Sequence, residues 1–180
     1  MKVERTAIAD VLVLEPKVFG DERGFFMETW NARVFEKIGI REKFVQDNHS
    51  RSARNVLRGL HYQVRQAQGK LVRVTAGEIW DVAVDLRRSS ASFGRWVGTK
   101  LDAASHRMVW IPAGFAHGFL VLSDQAEVEY KATDYYAPEH ERTLLWNDPA
   151  LGIAWPLAGE PLMADKDRRG LPLARAETYA

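Results

Sequence analysis

The sequence has no cysteine. That absence excludes disulfide staples, thiolate metal sites and thiol nucleophiles, and it agrees with a reducing compartment. An excess of one charge sign is also missing: 25 Lys+Arg stand against 24 Asp+Glu, a formal net charge of +1. A nucleic-acid coat or a polybasic membrane patch needs a basic excess, so neither partner is expected. No apolar run approaches the ~18 residues of a membrane span, and the opening stretch Met1–Asp10 lacks a signal-peptide apolar core. The chain contains no HxH, HxxxH or HExxH pair, no GxGxxG or GxxxxGK[ST] loop and no GxSxG elbow. A bound metal and the usual dinucleotide or P-loop cofactors are therefore not expected. The expectation is a cytoplasmic globular protein whose 180 residues form one domain, 1–180.

What is present is period-2 patterning. Lys70–Ala76 alternates, and Gly77-Glu78 turns the chain into a second strand-like run, Ile79–Leu86, which predicts a hairpin. Further strands are predicted at 11–14, 25–29, 44–49, 56–63, 96–101, 107–111, 118–121, 126–133 and 143–146. Strands this short and this evenly spaced predict an all-β antiparallel sandwich or barrel rather than a βαβ sheet. One helix is predicted over 31–38, with Val34, Phe35 and Ile38 on one side and Gly39 as its stop. Four of the seven prolines (Pro149, Pro156, Pro161 and Pro172) fall in the last segment, which predicts an irregular tail wrapped over the sheets.

Within the strands, parity singles out a few polar residues. His61 and Gln63 share one face of their strand, and Leu60 and Tyr62 the other. The first face is either the solvent side of a half-buried strand or the wall of a polar pocket, where an imidazole is a natural general base. Lys70 shares the apolar parity of Val72 and Val74, so it is a charge at a sheet end or a cation in a pocket. Tyr130 shares a face with Val128 and Ala132 and is a core tyrosine or a site hydroxyl. His117 sits in Gly114-Phe115-Ala116-His117-Gly118, read as a loop entering a strand, where binding groups gather. His49, His106 and His140 read as surface residues.

Taken in order, the motifs Phe19–Glu28, Gln46-Asp47-Asn48, Leu57–Gln63, Gln68–Val74, Asp81–Arg87, Trp110–Phe119, Tyr130–Asp134, Trp146–Pro149 and Lys166-Asp167 resemble the dTDP-4-dehydrorhamnose 3,5-epimerase family. The resemblance implies a cupin jelly roll, an antiparallel double-stranded β-helix with extra N-terminal strands. It implies a homodimer in dTDP-L-rhamnose synthesis that needs no cofactor or metal and acts on a dTDP-sugar, with N-terminal residues completing the neighbour's site. It implies His61 as base paired with Asp167, Tyr130 as acid on the opposite face of the sugar, and Lys70 at the 4-keto oxygen. Arg58 and His117 correspond to the pyrophosphate contacts, and Tyr136 to the ring stacked on thymine. Arg23, Phe26, Glu28, Gln46, Asp47, Asn48, Glu141 and Lys166 correspond to further substrate contacts. Asp85 is a rival for the carboxylate behind His61, because no spacing places Asp167 there. Where many relatives carry proline, the chain reads Val64-Arg65-Gln66-Ala67, a departure beside Lys70. The same motifs leave open a single-carbon epimerase, a ketoisomerase or a non-catalytic sugar-nucleotide binder.

Overall fold

A computed structural model describes residues 1–180. In chain order the strands are β1 (Lys2–Arg5), β2 (Leu12–Glu15), β3 (Val18–Asp21), β4 (Gly24–Met27), β5 (Gln46–Ala53), β6 (Leu57–Gln63), β7 (Lys70–Ala76), β8 (Glu78–Asp85), β9 (Trp96–Asp102), β10 (Met108–Ile111), β11 (Phe115–Val121), β12 (Gln125–Ala132) and β13 (Glu141–Thr143). Helix α1 spans Ala32–Lys37 and the single turn α2 spans Asp165–Arg168. Six strands form one sheet in the order β1-β2-β10-β7-β12-β5, and five form a second in the order β13-β6-β11-β8-β9. Every strand pair is antiparallel, and β3 and β4 make a separate hairpin. This is the antiparallel jelly roll that the strand spacing and the family resemblance imply.

Alternation decides which side chains fill the space between the sheets. Val72 and Val74 of β7, Val128 of β12, Ile79 and Ala83 of β8, and Phe115 and Phe119 of β11 meet there in one core of 15 buried residues. The outward faces are covered too. The β8 residues Val82 and Val84 pack with Leu60 and Tyr62 of β6 under tail residues Leu144, Leu151 and Ala176. On the other sheet Leu14, Leu71, Met108 and Trp110 pack under Phe35 of α1. Coverage on both faces explains why β11 is buried from end to end, as strands enclosed on two sides usually are.

Helix α1 begins where Asn31 accepts a hydrogen bond from the Arg33 N–H and ends before Gly39 (φ 94°), a left-handed stop that favours glycine. Strands β1 and β3 are absent from the sequence-based reading, because Lys2–Arg5 and Val18–Asp21 lack apolar alternation and are exposed throughout. The segment around His117 is not a loop, since it lies inside β11 and is paired on both sides. Glycines suit it because the strands come unusually close there. A Cβ on Gly59 would lie 2.6 Å from Gly118 Cα, and one on Gly118 would lie 2.5 Å from the Arg58 carbonyl oxygen. Gly59 also adopts a positive φ of 122°, open to glycine at no steric cost.

The tail after Pro149 is irregular but pinned. Leu162 forms a parallel bridge with Val56, Leu171 with Leu144 and Tyr179 with Arg87. The buried Asp148 carboxylate accepts from the Leu173 N–H at 2.7 Å. No helix is long and apolar enough to cross a membrane.

Candidate active site

The apolar filling between the sheets gives way at one end to polar side chains. There a cleft of about 590 Å³ opens, within the roughly 300–1,000 Å³ usual for small-ligand sites. Arg58 and His61 reach it from β6, Tyr130 from β12, Gln46 and Asn48 from β5, and Lys166 and Asp167 from α2. Tyr136, Gln68 and Glu141 complete its polar wall. A small recess of about 70 Å³ shares His61, Tyr130, Tyr136 and Glu141 with the cleft and adds Lys70. His61, Lys70 and Tyr130 all line this polar space, the pocket alternative of the two readings open to each.

Asp167 is 2% exposed, and both its oxygens are engaged by β6. Oδ1 lies 2.6 Å from His61 Nε2, and Oδ2 accepts from the Gly59 N–H at 3.2 Å. Burial alone would raise the Asp167 carboxyl. The His61 hydrogen bond and charge, the Gly59 N–H and the nearby Lys166 outweigh it and hold the group below the usual carboxylate range. An ionised carboxylate can only accept, so the proton sits on Nε2 and leaves Nδ1 as the basic ring nitrogen. Asp85, the rival carboxylate, is elsewhere and fully committed: it accepts from Arg87, Ser90 and Ser92.

Tyr130 faces His61 from the opposite sheet. Burial and the Glu141 charge raise its phenol above the ordinary value, against the opposing pull of Arg58 and Lys166, so the hydroxyl is protonated at neutral pH. Lys70 is 9% exposed. Its burial lowers the ammonium to about 8, although Asp81 and Glu141 pull it upward. At the mouth, Lys166 Nζ lies 3.0 Å from Glu141 Oε2, to which the Tyr136 hydroxyl also donates at 3.2 Å. For Lys166, burial is outweighed by Glu141, and the ammonium is held above its ordinary value. Arg58 is exposed, with its Nε donating to Ser52 Oγ at 2.9 Å.

Other expected contacts lie apart. His117 stands opposite His61 in the strand register but is buried, with Nε2 2.8 Å from Asp81. Asp47 points to the outer face of β5, where it pairs with Lys131 at 3.0 Å. A groove of about 350 Å³ on that outer face is neutralised from within by Asp47–Lys131 and Arg73–Glu129. Arg23, Phe26 and Glu28 belong to the β3–β4 hairpin and the segment after it, and none lines the cleft. Phe26 is 70% exposed. Gln63 has no expected role beyond sharing a face with His61, yet its side chain is buried and fully hydrogen-bonded. Only its parity with His61 marked it.

Comparisons with known proteins find relatives along nearly the whole chain. A family model described as dTDP-4-dehydrorhamnose 3,5-epimerase matches residues 5–175. The chain is 63% identical over 180 residues to a Pseudomonas aeruginosa dTDP-4-dehydrorhamnose 3,5-epimerase, covering 99% of each. It superposes with a TM-score of 0.96 on a Legionella pneumophila dTDP-6-deoxy-D-glucose-3,5-epimerase crystallised with dTDP-4-keto-L-rhamnose, at 50% identity, covering 98% of this chain and 94% of that one. It is also 38% identical over 178 residues to a Streptomyces niveus dTDP-4-dehydrorhamnose 3-epimerase, covering 98% of this chain and 86% of the relative.

Proposed function

The chain belongs to the dTDP-4-dehydrorhamnose 3,5-epimerase family, and from that premise we propose how its cleft works. It is an isomerase of dTDP-L-rhamnose synthesis, inverting C3 and C5 of dTDP-4-dehydro-6-deoxy-D-glucose to give dTDP-4-dehydro-L-rhamnose. The protons at both carbons are α to the 4-keto group, so removal of either leaves an enolate whose charge rests on the C4 oxygen. His61 Nδ1 takes the proton, and the Asp167 carboxylate steadies the imidazolium that results. Lys70, charged below its pKa of about 8, meets the developing oxyanion. Such a preset charge is often the largest catalytic contribution. Tyr130 returns a proton from the other face, and its protonated phenol suits that donor role. The observation that carries this reading is the pairing of His61 with buried Asp167 on one sheet, facing Tyr130 on the other across one cleft.

The rest of the cleft binds the nucleotide. Arg58 serves the pyrophosphate, with His117 on the paired strand β11 held by Asp81 as support rather than as a lining residue, and Lys166 and Glu141 contact the substrate at the mouth. Tyr136 supplies a flat ring for thymine to stack on, with Gln46 and Asn48 on the β5 side, while Asp47, turned to the outer face, takes no part in its own chain's cleft. Arg23, Phe26 and Glu28 serve the cleft of a second copy in a homodimer, because the hairpin presents them away from their own. In this reading residues 1–180 act as one epimerase domain in the cytoplasm, without metal or cofactor.

Incubation with the 4-keto sugar nucleotide in D₂O tests the mechanism. Deuterium at both C3 and C5 is expected. Label at one carbon only would make the enzyme a mono-epimerase, as the Streptomyces niveus relative is named, and no label would leave only a binding protein. His61→Asn is expected to abolish exchange in a folded protein, whereas Tyr130→Phe slows product formation more than it slows exchange.

A further inference from the structure

Gln63 lies two residues beyond His61 at the end of β6, and its side chain is 3% exposed. Its amide nitrogen donates to the Gln66 carbonyl at 2.7 Å and to the Tyr135 carbonyl at 3.2 Å. Its amide oxygen accepts from the Ala137 N–H at 2.9 Å. These partners fix the orientation of the amide, since a flipped group would set N–H against N–H and oxygen against carbonyl oxygens. Both peptide groups flanking Tyr136 are thereby tied to the strand that carries His61. The Tyr136 N–H itself donates to Gln46 Oε1 at 2.9 Å, so the two glutamines hold one tripeptide from opposite sheets. Tyr136, by contrast, has a side chain 51% exposed and held within the chain by a hydrogen bond to Glu141 alone. The direction of that ring is therefore set mainly by its backbone. The Gln66 contact also pins the segment Val64–Ala67 at a residue with φ 50°, four positions before Lys70.

We propose that Gln63 is a positioning residue: its amide fixes the Tyr135–Ala137 backbone against β6 and so sets the distance between the nucleotide platform at Tyr136 and the base at His61. The proposal rests on the reading that Tyr136 stacks on the thymine. An isosteric Gln63→Met releases the Tyr135 carbonyl and leaves the buried Ala137 N–H without a partner, a loss solvent does not repair at that N–H. The platform then drifts while the base remains in place. Substrate binding suffers in the ground and transition states alike, which raises KM and spares kcat.

The test is a double-mutant cycle with amide hydrogen exchange measured on the same full-length proteins. Gln63→Met is expected to raise KM about tenfold with kcat within about twofold of the parent. In a Tyr136→Ala background the same substitution should add almost nothing, because the platform is already gone. Exchange should quicken at Tyr136 and Ala137 while the β6 amides keep their protection. An equal KM effect in both backgrounds, or unchanged exchange at 136 and 137, would overturn the proposal. If Gln63→Met does not fold, Gln63→Glu takes its place. It keeps the acceptor for Ala137 but has no N–H for the two carbonyls, and a KM and exchange pattern identical to the parent's would equally overturn the proposal. Tyr136→Ala with an unchanged KM would defeat the stacking reading instead, and the exchange data would still decide whether Gln63 holds the loop.

Discussion

Two segments outside the sheets supply residues for the proposed chemistry, and they differ in an instructive way. The β3–β4 hairpin is regular, with four antiparallel pairs. It leaves Phe19, Phe25 and Phe26 exposed, and its aromatic contact with the body is Phe25 against His106 at 4.5 Å between centroids. The C-terminal tail has almost no regular structure, yet bridges at Leu162, Leu171 and Tyr179 hold it to the jelly roll. It carries Asp167 to within 2.6 Å of His61. Regularity of the backbone is therefore not what locates a side chain. A two-stranded ribbon has no second layer to bury its apolar face, whereas an irregular segment bridged to the sheets at several points along its length is held in one place. The tail completes its own chain's cleft. The hairpin leaves its aromatic face uncovered and adds no residue to that cleft.

The largest expected effect concerns the tail. Asp167→Asn should lower kcat by roughly 10³–10⁴-fold, as loss of the orienting carboxylate does in hydrolase triads, and should do so at every enzyme concentration. A loss under tenfold would show that the tail merely covers the site. Arg23→Ala should cost roughly 10–100-fold in kcat/KM, the worth of one charge-assisted contact. Coexpression of Arg23→Ala with His61→Asn chains should restore about a quarter of parental activity, since half of the random dimers hold one intact site of two. No recovery would mean that the hairpin serves its own chain or none.

A pH titration separates barrel from tail more gently. Lys70 loses its proton near 8 while Lys166 keeps its own above the ordinary value. The kcat/KM should therefore fall about tenfold per pH unit above ~8, and the residual activity of Lys70→Met should show no such limb. Stability should move the other way. Between about 8 and the ordinary lysine value the unfolded chain holds a proton that folded Lys70 has released, so stability gains with pH across that window. The smallest effect is expected for Tyr179→Phe, which removes a hydroxyl donating to the Gln63 carbonyl at 2.6 Å. It should cost about 1 kcal/mol, roughly 2–4 °C in Tm, with kcat unchanged.

Much of the site was legible in side-chain parity. Lys70 with Val72, and Tyr130 with Val128, could share a face only by entering the space between the sheets, and they do. Burial of the outer faces hid other features. The β11 segment read as a loop because glycine and histidine interrupt its apolar run, but those glycines answer the close approach of β6. The choice between Asp85 and Asp167 was invisible because Asp167 meets His61 across 106 residues through a turn with no periodic signal. The family resemblance named Asp167, and geometry removed its rival. Parity placed Gln63 beside His61, but its role was hidden because its partners are backbone groups, which leave no mark on composition or spacing.

The two-point grip on Asp167 has a mechanical consequence. One oxygen meets the imidazole of residue 61 and the other the peptide of residue 59 on the same strand. The carboxylate cannot swivel without releasing one of them, and any flexing of β6 carries acceptor and ring together. Relative motion between the two is cancelled at its source, as in an instrument whose probe and reference share one mount. Because both contacts belong to one carboxylate, removing that side chain frees the imidazole and the peptide of residue 59 together.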